Sequence, residues 1–320
     1  MLQKVQTNQL NPYQAGGVIN KILQILMSVS NFATHTDDPA GMSSVHHFKL
    51  ASAISRCEKI QFVLPAFPAK SKNHEKTYSH RPDLGEVESL KRLNEIALKI
   101  SEIYYPGAEF IICSDGRVFS DLVGVTEVDV TEYRLGINDI AKKFSLTKLS
   151  FFDLEDIFPS KFSFSQMRYS LEKEYAVSIN EIKANVKSND SKCSLFNGIH
   201  RFIKEDYLVI KKEITKNQIN KQAKEVAYKV MQRSNAWSTL VAQKFPDAFR
   251  LSIHPQDLTS EKFPIKLLPC NERWGTPWHR VPVMQNGELS LMRNLDIKKM
   301  GGVLKKYQGL YAYFELGVRQ

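Results

Sequence analysis

The chain is poor in cysteine, and its four, Cys57, Cys113, Cys193 and Cys270, fall at no paired spacing. That excludes a disulfide framework and a zinc motif, and reduced thiols in the cytoplasm are expected. No apolar run approaches the roughly 18 residues that a bilayer span needs. The first residues, MLQKVQTNQLNPYQAGG, lack the charged-then-apolar order of a secretory signal, so neither a membrane nor a secreted protein is expected. Also missing are a Walker loop, a GxGxxG fingerprint, a nucleophile-elbow serine and an HExxH pair. The common nucleotide, dinucleotide, hydrolase and zinc-protease classes are thereby disfavoured. His46 and His47 are adjacent and would diverge on a helix, a poor metal pair, so no metal is expected. What remains is an enzyme that acts by positioning, general acid–base steps and anion binding.

The 320 residues are 42% hydrophobic and 24% charged, ample for a sizeable core. The net charge is +10, and between Arg201 and Arg233 nine Lys/Arg face four Asp/Glu. No zinc-finger, ribonucleoprotein or helix-turn-helix signature lies beside this surplus, so a nucleic-acid partner is not expected. A solvated basic helix, or a field that attracts a phosphorylated small substrate, fits better.

Three strand ends carry the chemistry. In residues 109–123, EFIICSDGRVFSDLV, an apolar run halts at Cys113-Ser114-Asp115-Gly116-Arg117, and a second apolar patch is closed by Ser120 and Asp121. This predicts a buried strand that delivers a tight Asp-Gly turn at its carboxyl end. Ligands of open α/β sheets bind outside such ends. Ser114, Asp115, Arg117 and Asp121 offer a hydroxyl, two carboxylates and a guanidinium there, although an isolated Asp-Gly is more often a salt-bridged surface turn. A second strand, residues 59–65, runs into Lys70-Ser71-Lys72-Asn73, either an anion cradle or a solvated loop. A third, residues 249–253, places Arg250 and Ser252 on one face and Leu251 and Ile253 on the other, and ends at His254. A histidine there suits proton transfer near neutral pH, though a lone histidine before proline is usually structural.

The elements between these strands give the fold class. Residues 1–55 read as a helical extension, with an amphipathic helix over 19–29. Asp83 caps a helix over 84–105 whose Val87, Leu90, Leu93, Ile96, Ile100 and Ile103 make one buried face. Strand, loop, helix, strand, loop is the order of a parallel crossover unit, so the Lys-Ser and Asp-Gly loops should share one sheet edge. A strand over 149–154, a long helix over 166–186 and a helix over 220–244 follow. The last has Val226, Val230, Trp237 and Val241 as its stripe, with Arg233 beside Trp237 as a candidate for a carboxylate or phosphate. Residues 187–192 read as an exposed connection. Gln285-Asn286-Gly287 joins a hairpin whose first strand carries Pro282, which demotes it to an edge. Just before it stand Thr276-Pro277-Trp278-His279. The expected fold is a single α/β unit over residues 1–320: a Rossmann-like, largely parallel central sheet flanked by helices, with a C-terminal β-hairpin region over 276–320.

Five blocks, FPAKSKN (67–73), PGAEFIICSDGRVFSDLV (106–123), RSNAWS (233–238), RLSIHPQ (250–256) and TPWH (276–279), resemble in order the isocyanide synthase family, also called the pyoverdine/dityrosine biosynthesis family. Lys72 departs from its pattern, in which proline is common at that place. The resemblance implies conversion of the amino group of an aromatic amino acid, tyrosine before tryptophan, to an isonitrile. It also implies ribulose 5-phosphate as one-carbon donor, no metal or organic cofactor, and a downstream iron(II)/2-oxoglutarate oxygenase. Within that scheme Lys70, Ser71 and Asn73, helped by Arg117, would hold the phosphate. Asp115 and Asp121 would bind the amine or sugar hydroxyls, with Ser114 and Ser252 as further substrate contacts. Arg233 or Arg250 would clamp the carboxylate, His254 and His279 would move protons, and Trp237 or Trp278 would wall the aromatic pocket. Two rivals remain: another sugar-phosphate or amino-acid enzyme on the same scaffold, and a non-catalytic basic protein that binds nucleic acid.

Overall fold

The structure, a computed structural model, describes residues 11–32 and 44–317. In chain order, α1 (Pro12–Met27) and α2 (Ser44–Ser55) precede β1 (Ile60–Pro65), α3 (Leu84–Ile103), β2 (Ala108–Cys113), α4 (Gly116–Val123), α5 (Glu127–Lys143) and β3 (Leu149–Phe152). Then come α6 (Phe164–Tyr175), α7 (Ile179–Ser188), α8 (Asp190–Ile210), α9 (Lys216–Lys244), β4 (Phe249–Ser252) and β5 (Phe263–Pro264). A final run holds β6 (Val281–Gln285), β7 (Glu288–Met292), α10 (Asn294–Lys299), β8 (Val303–Tyr307) and β9 (Tyr311–Leu316).

Strands β1 to β5 form one parallel sheet in the order β3-β2-β1-β4-β5. Strand alternation sends Phe62, Leu64, Phe110 and Ile112 into a core shared with α1, α2, α3 and α5. Val63, Ile111 and Cys113 point the other way, into a second core with α6 and α9. Both faces are covered, which is why these strands read as near-continuous apolar runs. The chain builds outward from β1 to β3, then crosses the opposite face to place β4 beside β1. That reversal is the topological switch point, and it lies between the loops after β1 and β4.

Local signals explain the boundaries. Asp83 accepts from Gly85 N (2.8 Å) while Glu86 returns to Asp83 N (2.9 Å), a capping box that starts α3. Asn286 (φ 53°) and Gly287 (φ 80°) supply the two left-handed residues of the hairpin turn between β6 and β7. Among the described residues no helix is long and apolar enough to cross a membrane.

Several expectations need correction. The residues after Asp115 form α4, so the Asp-Gly step is a strand-to-helix junction and not a reverse turn. The single helix expected over 166–186 is two, because Ser178 caps α7 by accepting from Glu181 N (3.1 Å). The connection expected over 187–192 shrinks to Asn189 between α7 and α8, although those residues are exposed. The stripe on α9 runs through Ile219, Ala223, Ala227 and Met231 before reaching Trp237 and Val241, with Val226 and Val230 only half-buried. Pro282 does not mark an edge: β6 is interior in a second sheet, β7-β6-β9-β8. The pairing of β6 with β9 starts at Val283, so the missing proline N–H falls outside that ladder. The segment expected as helical over 1–55 holds α1 and α2, and its residues 1–10 and 33–43 lie outside the described residues.

Candidate active site

The carboxyl ends of β1, β2 and β4 open into a cavity of about 810 Å³, in the size range of small-molecule sites. Its floor is the sheet edge: Pro68, Ala69 and Ser71 after β1, Asp115 and Gly116 after β2, and Ser252 to His254 after β4. Its cover is α8, which contributes Ile199, Phe202 and Asp206 and packs with α7 and α9 in a helical cluster of its own.

The floor is held closely. Gly116 is required, because a Cβ there would lie 2.0 Å from Pro68 O and 2.9 Å from a Val130 methyl. Phe67 is held at φ 57°, outside the usual range for an aromatic residue, and packs on Trp278 with ring centroids 5.2 Å apart. Ser114 Oγ donates to Phe67 O (3.0 Å), and Ser71 N donates to Trp278 O (2.9 Å). Strain stored and over-determined in this way is common at functional sites.

Asp115 is the distinctive group. It occupies the N-cap position of α4, yet its side chain makes no capping bond, and the buried Oδ1 has no hydrogen-bond partner among the described residues. Burial pushes its carboxyl up to about 7, against a smaller lowering by its own backbone N–H. A carboxyl that titrates near neutrality in a cleft can both donate and accept a proton.

The two histidines behave differently from free imidazoles. His254 packs on Trp274 with ring centroids 5.0 Å apart and planes tilted by 41°, and burial, then the charge of Lys262, holds it down to about 4. Its backbone is fixed by Ser252, whose Oγ accepts from His254 N (3.1 Å) and donates to His254 O (3.2 Å). His279 packs on Phe202 at 4.1 Å and shares a hydrogen bond of 3.2 Å between Nδ1 and Thr276 Oγ1. Burial and the nearby Lys76 and Arg280 hold it well below the usual histidine value. Both rings are neutral at physiological pH, so each can accept a proton and neither adds charge.

Ser71, Asp115, Ser252, His254, Trp278 and His279 are thus brought together around the cavity. The other expected site residues are near but turned away. Lys70 is fully buried between Asp83 (2.8 Å) and Glu86 (2.9 Å) and donates to Pro277 O. Asn73 donates to Asp206 Oδ1 (3.0 Å), one shell behind the lining. Arg117 bonds Glu127 (2.7 Å) and stacks on Phe164. Asp121 and Arg233 pair with each other (2.5 Å), and Arg233 also bonds Glu172 (2.6 Å), bracing α4, α6 and α9. Trp237 stacks on Phe152 within the core, and Arg250 donates to Ser238 O (3.1 Å) and Ser238 Oγ (2.5 Å). Lining residues that the sequence did not single out include Lys192, Arg201, Lys262, Arg273 and Trp274. Only the basic surplus after Arg201 signalled any of them. Among the described residues no group of three or more His, Cys, Asp and Glu is placed to hold a metal ion.

A doubly covered parallel sheet with a partly apolar cavity at its switch point, and titratable groups on the strand ends, has the architecture of an α/β enzyme. The profile of the pyoverdine/dityrosine biosynthesis protein family matches residues 50–304. The crystal structure of the PvcA protein from Pseudomonas aeruginosa superposes with a TM-score of 0.88 at 34% identity, covering 93% of this chain and 99% of that one. An L-tryptophan isonitrile synthase of Fischerella ambigua is 46% identical over 84% of this chain and 81% of its own length. An L-tyrosine isonitrile synthase of Xenorhabdus nematophila is 38% identical over 85% of this chain and 82% of its own. The chain belongs to this family, the isocyanide synthases, and is an enzyme of that catalytic class.

Proposed function

We propose that this enzyme converts the amino group of an aromatic L-amino acid to an isonitrile, with ribulose 5-phosphate supplying the added carbon. The observation that carries the reading is Asp115, a carboxyl on the wall of the cavity that burial pushes up to about 7 and whose Oδ1 has no partner among the described residues. Its support is the division of the remaining lining. Lys192, Arg201 and Arg273 suit a phosphate dianion, while Phe119, Val123, Val125 and Val130 suit an aromatic ring.

In this reading the amine adds to the keto carbon of the sugar, water leaves and an imine forms. Deprotonation, elimination of the phosphate and stepwise carbon–carbon cleavage then leave the one-carbon unit on nitrogen, with the other sugar carbons released as formaldehyde and a three-carbon hydroxyketone, so that no external oxidant is needed. Asp115 delivers and recovers protons, neutral His254 and His279 accept them, and Ser71 and Ser252 position the sugar hydroxyls. Trp274 and Trp278 close the wall around the aromatic substrate. The proposal puts tryptophan before tyrosine, reversing the order expected from sequence. The reason is that relatives of 46% and 41% identity are described as acting on tryptophan, and those of 38% and 36% on tyrosine. An iron(II)/2-oxoglutarate oxygenase that consumes the isonitrile is the downstream partner of this reading.

The test is mass spectrometry of the purified protein with ribulose 5-phosphate and either amino acid in parallel. A faster isonitrile product from tryptophan supports the whole reading, and product from tyrosine alone restores the earlier substrate order. Bound sugar phosphate with no product from either refutes the reaction and leaves a different sugar-phosphate enzyme on this scaffold.

A further inference from the structure

Lys262 has an environment that a phosphate-binding lysine does not need. It lies one residue before β5, and the parallel register pairs Leu251 with Phe263. One step back along that register sets Lys262 beside Arg250 on the face away from the main core. Lys262 is among the residues that line the cavity, and its Nζ makes no hydrogen bond or ion pair with any described residue. Its charged neighbours are mostly cations, Arg250 and Lys192, with Glu261 the weaker opposing charge, and burial acts first and most strongly. Together these push the ammonium down to about 7, so a large fraction is free amine at neutral pH. His254 is close enough to feel the Lys262 charge, and its neutral ring is an available proton acceptor. A desolvated lysine next to another cation is how proteins make an amine nucleophilic.

We propose that Lys262 is a catalytic residue that captures the ketose phosphate as a covalent imine before the amino acid reacts. The inference rests on the proposed use of ribulose 5-phosphate. That sugar has its C5 oxygen esterified, so it cannot close a furanose ring and presents a free ketone. The Lys262 Nζ adds to the keto carbon. The carbonyl oxygen takes up two protons and leaves as water, and a C=N bond joins lysine to sugar. The substrate amine then adds to the same carbon and expels Lys262 as free amine, which gives the substrate imine with no net oxidation or reduction. A protonated imine is a better electrophile than the ketone, so the exchange lowers the barrier to the first carbon–nitrogen bond. Asp115 and His254 line the same cavity and can move the protons.

The experiment is reductive trapping. The enzyme is incubated with ribulose 5-phosphate and sodium cyanoborohydride without amino acid, then digested and read by mass spectrometry. The expected result is a gain equal to the sugar phosphate less one oxygen atom, carried by the peptide that contains Lys262. The gain should be absent in Lys262→Met and Lys262→Arg. Both variants should lose at least about 100-fold in isonitrile formation, the scale expected when a catalytic group is removed, while keeping the wild-type melting temperature within a few degrees. Arginine keeps the charge but forms no such imine, so near-wild-type turnover by Lys262→Arg overturns the proposal in favour of simple phosphate binding. Isonitrile formation by a wild-type preparation that yields no adduct also overturns it, while leaving the parent reaction intact. Absence of both adduct and isonitrile overturns both.

Discussion

Replacing Asp115 by asparagine should make the protein more stable and inactive at once. The side chain keeps its shape and loses its titration. In the folded protein the carboxyl is held up to about 7 by burial, against about 4 in an unfolded chain. The folded state therefore holds a proton that the unfolded state releases. The penalty is absent below about pH 4, grows as pH rises and is complete above about pH 7. Three pKa units correspond to about 4 kcal/mol, an upper bound because solvent in the cavity reaches the carboxylate. Urea unfolding of wild type and Asp115→Asn at pH 5 and pH 8 reads this directly. The variant should gain stability at both values and more at pH 8, by about 1–4 kcal/mol there. Its turnover should fall by about 100- to 10,000-fold, the usual contribution of a general acid–base group. A variant that is no more stable at pH 8, or that retains wild-type turnover, refutes the reasoning.

Other substitutions separate scaffold from site. Lys70→Ala breaks a buried ion pair with Asp83 and Glu86. It should cost about 3–5 kcal/mol in denaturant unfolding, rather than chiefly raising the Michaelis constant for sugar phosphate as a cradle lysine would. Gly116→Ala forces a Cβ against Pro68 O. Its overpacking should lower stability by about 3 kcal/mol or more, visible as a reduced melting temperature. His254→Asn should abolish turnover. It should also remove acid sensitivity, because a folded value of about 4 against an ordinary 6.5 makes stability full above pH 6.5 and lost as pH falls towards 4. Urea titrations across that window should show a flatter profile for the variant by at most about 3 kcal/mol.

Physical reasons separate what the chain displays in sequence from what it does not. Strands buried on both faces leave unbroken apolar runs, so β1 and β2 and their shared edge are visible before any coordinates. Asp115, Ser71 and His254 are legible as residues of the cavity lining because a strand end fixes their position within a few residues. Strand β5 spans two residues, and β8 alternates poorly, with mostly exposed side chains, so neither carries a period-2 signal. Lys70 is misread because its partners stand on another element. The carboxylate that caps α3 by one oxygen takes the lysine with the other. Arg233 is misplaced for a similar reason, since Asp121 and Glu172 meet it only when α4, α6 and α9 pack. Lys262 and Trp274 lie in irregular segments after β4 and are carried to the cavity by tertiary packing, which no local pattern announces.

The central claim is that the cavity at the sheet edge joins a carbon of the sugar to the nitrogen of the amino acid. The most direct test supplies ribulose 5-phosphate labelled with carbon-13 at the keto carbon, and tryptophan labelled with nitrogen-15 at the amine, to the purified protein. An isonitrile product that contains both labels, bonded to each other as seen by their mutual coupling in nuclear magnetic resonance, is the predicted result. A product without carbon-13, or bound sugar phosphate with the amino acid unchanged, would contradict it.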